Sequence, residues 1–248
     1  MSFPWDDLYT IETLIALVVA VVAGVSRGFT GFGSSLIMAP VYAVMYGPVV
    51  TVGTVLALEV AVSVDSVTRV ARIIPWRTMI SVWIAAWIAV PFGTWVLLIA
   101  DADVMRRAIS LIVALLAILL MAGWRYPGPH RLIPNLCVGT LSGILNSSTS
   151  LGGPPLIFYM LMGPGSTAAA RAGLIANVFV VSVPTVVILL WNGALDTLAL
   201  WRTAVVFPFF LFATQIGNRI FHASREKTYR RVSAWLLLIV AVATFVAE

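Results

Sequence analysis

Long apolar runs, separated by short connections that carry most of the charged residues, make up almost the whole chain. There are ten such runs, five in each half. They lie near 11–25, 32–46, 48–68, 79–100 and 104–123 in the first half, and near 133–145, 151–162, 172–191, 203–220 and 232–247 in the second. A membrane-spanning helix needs roughly 20 apolar residues. The last three runs of each half approach this length and are predicted to be full spans.

The first two runs of each half are shorter, and polar and glycine-rich stretches at 28–35 and 146–155 separate them. Such stretches predict a helix that breaks inside the membrane, in a pair of helices that is either re-entrant or spanning. A broken helix exposes backbone N–H and C=O groups, which lipid cannot satisfy, so a break is tolerated only inside protein or around a cavity. Short interrupted segments at matching places in two halves indicate a transport site.

The second half repeats features of the first in the same order. The matching pairs are Trp76-Arg77-Thr78 with Trp201-Arg202-Thr203, Arg106-Arg107 with Arg230-Arg231, and Gly24 and Gly33 with Gly143 and Gly152. They predict two repeats, 1–125 and 126–248, within one membrane domain. Three spans and a short pair cross the membrane an odd number of times, so the second repeat must be inverted. The predicted fold is an all-α polytopic membrane protein with two inverted repeats.

Composition supports a bilayer location and sets the orientation. The chain is 61% hydrophobic and 10% charged, whereas soluble domains average about 45–50% apolar and about 25% charged residues. The net charge of +5 does not indicate nucleic acid, because the basic residues lie in short connections. Placing the basic connections in the cytoplasm puts both termini on the periplasmic side.

A new helix begins after each break, and helix N-termini attract anions through free N–H groups and a positive dipole end. Two inverted half-helices would direct two such ends at one point near the bilayer midplane. The alternative is that the glycines only allow close helix packing. The candidate substrate-binding residues around the breaks are Gly31, Gly33, Ser34, Ser35, Asn146, Ser147, Ser148, Thr149, Gly152 and Gly153.

Ionisable residues inside apolar runs are expensive in lipid and are usually functional. Arg27, next to the first break, is a candidate clamp for an oxyanion, or it pairs with a distant acid. Glu59 is a candidate proton carrier, or it forms a salt bridge with Arg27. Asn177 is a candidate for a neutral hydrogen bond to the substrate. Arg171 either reaches the second break or is a cytoplasmic topology charge.

The favoured function is a secondary anion transporter, with a passive anion channel as the alternative. An intramembrane enzyme using Ser34 or Ser148 as nucleophile is disfavoured, because a serine nucleophile needs an adjacent base. His130, His222 and Lys227 all lie in predicted loops. No metal-ligand cluster or cofactor motif is evident. The expected partners are a small anion and the lipid bilayer, and a homodimer is one possible assembly.

The break motifs resemble a known family. Gly31-Phe32-Gly33 with Pro40, and Gly143, Gly152-Gly153-Pro154-Pro155 and Tyr159, are similar to the two signature motifs of the sulfite exporter TauE/SafE family, of the 4-toluene sulfonate uptake permease type. The resemblance implies a bacterial inner-membrane carrier, with export favoured, for sulfite, thiosulfate or an organosulfonate. Members often carry three glycines after the first break, whereas Ser34 and Ser35 follow Gly33 here.

Overall fold

The computed structural model describes residues 10–121, 128, 130–161 and 166–223, and within them the chain is helical. The described helices are α1 (Ile11–Thr30), α2 (Ser34–Tyr46), α3 (Pro48–Val70), α4 (Trp76–Ile99), α5 (Ala102–Met121), α6 (Leu132–Thr149), α7 (Gly153–Leu161), α8 (Thr167–Trp191) and α9 (Thr197–Ala223), with a 3₁₀ turn at Ala71–Ile73. The predicted run 232–247 and the boundary between 125 and 126 lie outside the described residues.

Five of the described helices, α1, α3, α4, α8 and α9, are long and apolar enough to cross a membrane. The protein is therefore a multi-pass membrane protein. The prediction that the first run is too short to span was wrong for the first half, where α1 is one of the five candidate spans. α1 has 20 residues and α6 has 18, because both helices continue through polar residues such as Thr30 and Ser147. The hydroxyls of Thr30 and Ser147 donate to carbonyls one turn earlier, at 2.8 Å in both cases, so these polar side chains are satisfied inside the helix.

Each of the two breaks turns the chain back on itself. α2 runs antiparallel to α1, and the Tyr42 hydroxyl donates to the Ala16 carbonyl at 2.8 Å. α7 likewise returns along α6, where the Tyr159 hydroxyl donates to Oδ1 of Asn135. Both pairs are hairpins, and each hairpin brings the chain back toward the side where it entered.

The charged residues separate toward two ends of the helix bundle. α3 starts on the side where α1 starts and ends on the opposite side, and α4 returns. We call the side that carries Glu12, Asp101, Asp103 and Asp196 the acidic end, and the side that carries Arg69, Arg72, Arg77, Arg131 and Arg219 the basic end. Arg106, Arg107 and Arg202 also lie toward the acidic end. There Arg106 pairs with Asp103 at 2.6 Å, and Arg202 lies over the Tyr46 ring at 4.5 Å.

Two helix crossings bring backbone against backbone. In the α1–α9 crossing, a Cβ added to Gly28 would lie 2.0 Å from the Thr214 carbonyl oxygen, and one added to Gly217 would lie 2.1 Å from that of Val25. In the α4–α6 crossing, Gly139 faces Val82 and Gly143 faces Ala86 in the same way.

The order of these contacts fixes the relative direction of the helices. Along α1, Gly24 meets Phe210 and Gly28 meets the later Thr214. Residue numbers therefore rise together on α1 and α9, and they do so on α4 and α6 as well. Each crossing joins two parallel helices, one from each half of the chain.

We expect alanine at Gly28 or Gly217 to destabilise the protein by about 1–3 kcal/mol, because the new methyl group meets backbone that cannot move aside. Gly173→Ala is the matched control. Its nearest neighbour is the flexible Met79 side chain, with Sδ at 3.2 Å. Thermal unfolding in detergent measures the difference. Equal melting temperatures for the crossing variants and the control would contradict the close packing.

Candidate functional site

The first break is built by two left-handed glycines. α1 ends at Thr30, and Gly31 (φ 84°) caps it by donating its N–H to the Arg27 carbonyl at 2.7 Å. Gly33 (φ 95°) then precedes α2. Side chains strongly disfavour these backbone angles, so glycine is the residue that allows the turn. The Thr30 hydroxyl lies 2.5 Å from the Phe32 carbonyl oxygen and ties the two ends of the break together.

Arg27 is buried, and each of its three guanidinium nitrogens contacts a group at or next to this break. Its Nε lies 2.6 Å from Oε2 of Glu59. One terminal nitrogen donates to the Ser63 hydroxyl at 2.5 Å, and the other donates to the Gly31 carbonyl at 3.1 Å. Both charged side chains are at most 3% exposed. Of the two interpretations left open for Glu59, the salt bridge with Arg27 is therefore present.

Ser34 extends this ion pair to the start of α2. Its hydroxyl donates to Oε1 of Glu59, so the side chain predicted to contact an anion here contacts a carboxylate. Ser35 lies beside it and is half-buried. Together α1, α2 and α3 bring an ion pair and a hydroxyl together at the first break: Arg27, Glu59 and Ser34.

The second break resembles the first in its backbone geometry, but its buried side chains are neutral. Ser150 (φ 61°) adopts the left-handed conformation in which Gly31 ends α1, and its N–H bonds to the Asn146 carbonyl at 2.9 Å. The amide of Asn146 donates to the Ser182 hydroxyl at 3.3 Å. The number of residues from Arg27 to Asn146 equals the number from Ser63 to Ser182. Asn146 and Ser182 therefore have the places in the second half that Arg27 and Ser63 have in the first.

Asn177 and Ser142 complete the second break. The Ser142 hydroxyl donates to the Gly152 carbonyl at 2.6 Å and lies 3.3 Å from Nδ2 of Asn177. Among the described residues, Oδ1 of Asn177 has no hydrogen-bond partner, although the residue is only 2% exposed.

The hydroxyls at the end of α6 are occupied by their own helix. Ser147, Ser148 and Thr149 donate to the carbonyls of Gly143, Ile144 and Leu145 at 2.7–2.8 Å. All three residues are buried. Their lone pairs remain available, and a hydroxyl can rotate away from its helix to donate to a substrate.

The two breaks lie against each other. A Cβ built on Gly153, the first residue of α7, would lie 3.9 Å from Cβ of Phe32. The two helix starts differ in their donors, however. The first backbone bond across the start of α2 runs from Ile37 to Gly33, so the preceding N–H groups of that turn have no helical acceptor. In α7 the second and third residues are Pro154 and Pro155, which have no N–H group.

Arg171 is the site residue that the sequence did not identify correctly. It is buried in α8 rather than in a loop, and it reaches the first break rather than the second. Its terminal nitrogen donates to the Gly28 carbonyl at 2.6 Å and to Oδ1 of Asn218 at 3.0 Å, and Nε donates to the Phe29 carbonyl at 3.3 Å. It therefore caps the carbonyl end of α1, which a cation favours.

A cavity of about 530 Å³ extends from the basic end to Arg27 and Gly28, between α1, α3, α8 and α9. Four arginines and one aspartate line it: Arg27, Arg69, Arg171, Arg219 and Asp65. Its uncharged polar lining comprises Ser66, Thr214, Gln215 and Asn218. Asp65 pairs with Arg69 at 2.8 Å. Because cations outnumber acids, the cavity is suited to attract anions.

Comparison with known proteins gives one match. The family model "Sulfite exporter TauE/SafE" matches residues 16–244, nearly the whole chain. No curated protein and no solved structure matches it. The matched range contains both breaks, both glycine crossings and every residue lining the cavity, which confirms the resemblance of the break motifs. The chain therefore belongs to the sulfite exporter TauE/SafE family.

Proposed function

We propose that the protein is a secondary transporter that moves small sulfur-containing anions, such as sulfite, thiosulfate or an organosulfonate, out of the cell across the bacterial inner membrane. The observation that carries this proposal is the arginine-lined cavity, which extends from the basic end to Arg27 and Gly28, next to the first helix break. Burying a cation in a bilayer is costly, so cations that line a membrane cavity indicate that a charged solute enters it.

The electrostatics of the cavity favour an anion over a neutral solute. Four arginines and one aspartate line the cavity, so its lining is net positive. An oxyanion that leaves water needs fixed donors to replace its hydration. The N–H groups at the start of α2 and the arginine side chains supply such donors.

We infer that the anion and Glu59 compete for Arg27. The guanidinium already has a carboxylate at 2.6 Å, and an oxyanion offers it a similar partner. Displacing Glu59 as a buried carboxylate without a cation is expensive. Protonation of Glu59 removes that cost and keeps its contact with Ser34. Anion binding at Arg27 is then coupled to one proton on Glu59.

The membrane potential supplies a direction. A cell interior that is negative by 100 mV favours the exit of each net negative charge by about 2.3 kcal/mol. A doubly charged anion that moves with one proton still carries net negative charge outward. This argument favours export, and it requires no nucleotide.

Flux in proteoliposomes tests the proposal. We expect labelled sulfite, thiosulfate or sulfoacetate to cross, and a pH gradient to accelerate that flux. Glu59→Gln keeps the shape of the side chain and an oxygen for Arg27, so binding should persist while acceleration by the pH gradient is lost. Normal pH-driven flux in Glu59→Gln would exclude the coupling role. Uncoupled, non-saturating flux in the native protein would favour the channel.

We propose further that residues 1–125 and 126–248 are inverted repeats that alternate access to the midplane site. The directions of the helices support this. α1 runs from the acidic to the basic end, whereas α6 is parallel to α4 and runs the opposite way. The equal spacing of Arg27 with Asn146 and of Ser63 with Ser182 supports it as well.

The basic end is proposed to face the cytoplasm, with both termini periplasmic. Single cysteines near Val104 and Ala194 should then react with an impermeant thiol reagent from the periplasm, and cysteines near Gly128 and Ala223 from the cytoplasm. The natural Cys137 is replaced beforehand. Identical sidedness for the equivalent connections of the two halves would contradict the inverted arrangement.

A further inference from the structure

A second set of buried polar side chains lies on the acidic side of the breaks, on α4, α6 and α8. Its members are all at most 4% exposed: Thr94, Asn146, Ser147, Ser182 and Thr185. They lie on neighbouring helices that pack against one another. Asn146 bonds to Ser182 at 3.3 Å, Thr185 follows one turn later, and the glycine before Thr94 packs against the Ser147 hydroxyl.

These residues occupy the places in the other half that correspond to the lining of the cavity. The spacing that relates Arg27 to Asn146 also relates Gly28 to Ser147 and Ser66 to Thr185. In the crossings, Gly93 of α4 has the place that Gly217 has in α9, and the next residues are Thr94 and Asn218. Gly28, Ser66 and Asn218 all line the cavity at the basic end.

We propose that Thr94, Ser147 and Thr185 line a second passage, closed in this structure, through which the same anion reaches the acidic end. This proposal rests on the proposed transport function and on the inverted repeats. The passage lies between α3, α4, α6 and α8, as the cavity lies between α8, α9, α1 and α3.

The three hydroxyls can be satisfied without water when the passage is closed. Ser147, Thr185 and Thr94 donate to the carbonyls of Gly143, Val181 and Val90, at 2.8, 3.2 and 3.0 Å. While the passage is closed, each proton is satisfied inside its own helix, so no donor is orphaned. When an anion arrives, the same hydroxyls can rotate to donate to it.

The two passages differ in charge. In the other half of the chain, the places of the four cavity arginines are taken by uncharged residues. Asn146, Ile188 and Val52 correspond to Arg27, Arg69 and Arg171, and Trp95 corresponds to Arg219. Cations therefore hold the anion on the basic side, and only neutral groups contact it in the second passage. An arginine adds the Coulombic attraction of a full positive charge to the hydrogen bonds that it donates to an anion, whereas a neutral hydroxyl supplies the hydrogen bond alone. The anion therefore binds more strongly at the basic end, and it is released at the acidic end, where only neutral groups contact it.

Cysteine accessibility tests the passage. In a protein carrying Cys137→Ser, we introduce Thr94→Cys or Thr185→Cys and apply a small impermeant thiol reagent from the acidic side. We expect both cysteines to react, sulfite to change the rate, and modification to abolish flux. Ala20→Cys is the matched control, since Ala20 is fully buried in the acidic half of α1. Thr214→Cys should react from the basic side, where Thr214 lines the cavity.

The outcomes separate this inference from the proposed function. Reaction at Thr94→Cys and Thr185→Cys with none at Ala20→Cys supports the passage. If neither cysteine reacts from the acidic side while the protein still transports sulfite, the passage is wrong and the transport function stands. Reaction of all three would indicate loosened packing and would also overturn the assignment. Failure of the cysteine-free parent to transport any tested sulfur anion would instead remove the proposed function.

Discussion

Arg27→Gln is expected to abolish anion transport and to destabilise the protein by about 3–5 kcal/mol. Removing one partner of a buried ion pair leaves the other charge without compensation. Here the remaining charge is Glu59, which is 2% exposed and, among the residues that the structure describes, keeps only the Ser34 hydroxyl as a partner. Thermal unfolding in detergent measures the stability, and sulfite binding measures the function.

The double variant Arg27→Gln with Glu59→Gln separates the two effects. Two amides can bond to each other and carry no charge, so we expect most of the stability to return. Anion binding should stay lost, because the cation is still missing. If the stable double variant bound sulfite normally, Arg27 would have a structural role alone, and the anion would rest on the helix ends and the other arginines.

Arg171→Gln is expected to have the second largest effect. The guanidinium holds two successive carbonyls at the end of α1, and each hydrogen bond to a charged group contributes about 1.5–3 kcal/mol. We expect a lower melting temperature together with weaker anion binding. Arg171→Lys should keep much of the binding and lose stability, because an ammonium cannot reproduce the forked geometry.

Arg219→Gln is the matched control for Arg171. Both arginines line the cavity, but Arg219 is exposed and no carbonyl contact holds it in the described structure. Its loss should weaken anion binding with little change in melting temperature. If Arg171→Gln behaved in the same way as Arg219→Gln, the role of Arg171 in capping α1 would be refuted.

The sequence located both breaks because glycine has a conformational signature. Gly31 and Gly33 have left-handed angles that other residues rarely adopt, and the matching glycines in the second half marked the second break. The first turn of that second break was less visible, because Ser150 takes a left-handed angle without being glycine. Hydroxyl and amide side chains can offset part of that strain locally.

The sequence could not determine which buried side chains pair with each other. Arg27 and Glu59 were both recognised as buried ions, and their pairing was one of two interpretations. Which acid meets which base depends on how α1 and α3 are rotated, and spacing along one helix does not fix that. Arg171 was harder, because it bonds to the backbone carbonyls of Gly28 and Phe29 as well as to Asn218. Every residue has such a carbonyl, so no residue type marks the place.

The glycine crossings determine which parts of the protein can move as bodies. A methyl group added at Gly28, Gly217 or Gly139 would lie only 2.0–2.2 Å from a backbone oxygen of the facing helix. α1 therefore cannot slide on α9, nor α4 on α6, without losing dense packing. Each rigid unit takes one helix from each half of the chain. Any rearrangement between the two units would have to be absorbed by α3 and α8 and by the short connections, such as the one at Gly47, whose φ is positive, before α3. The parts that could move against each other are therefore not the two repeats. Each such part contains one helix from each repeat.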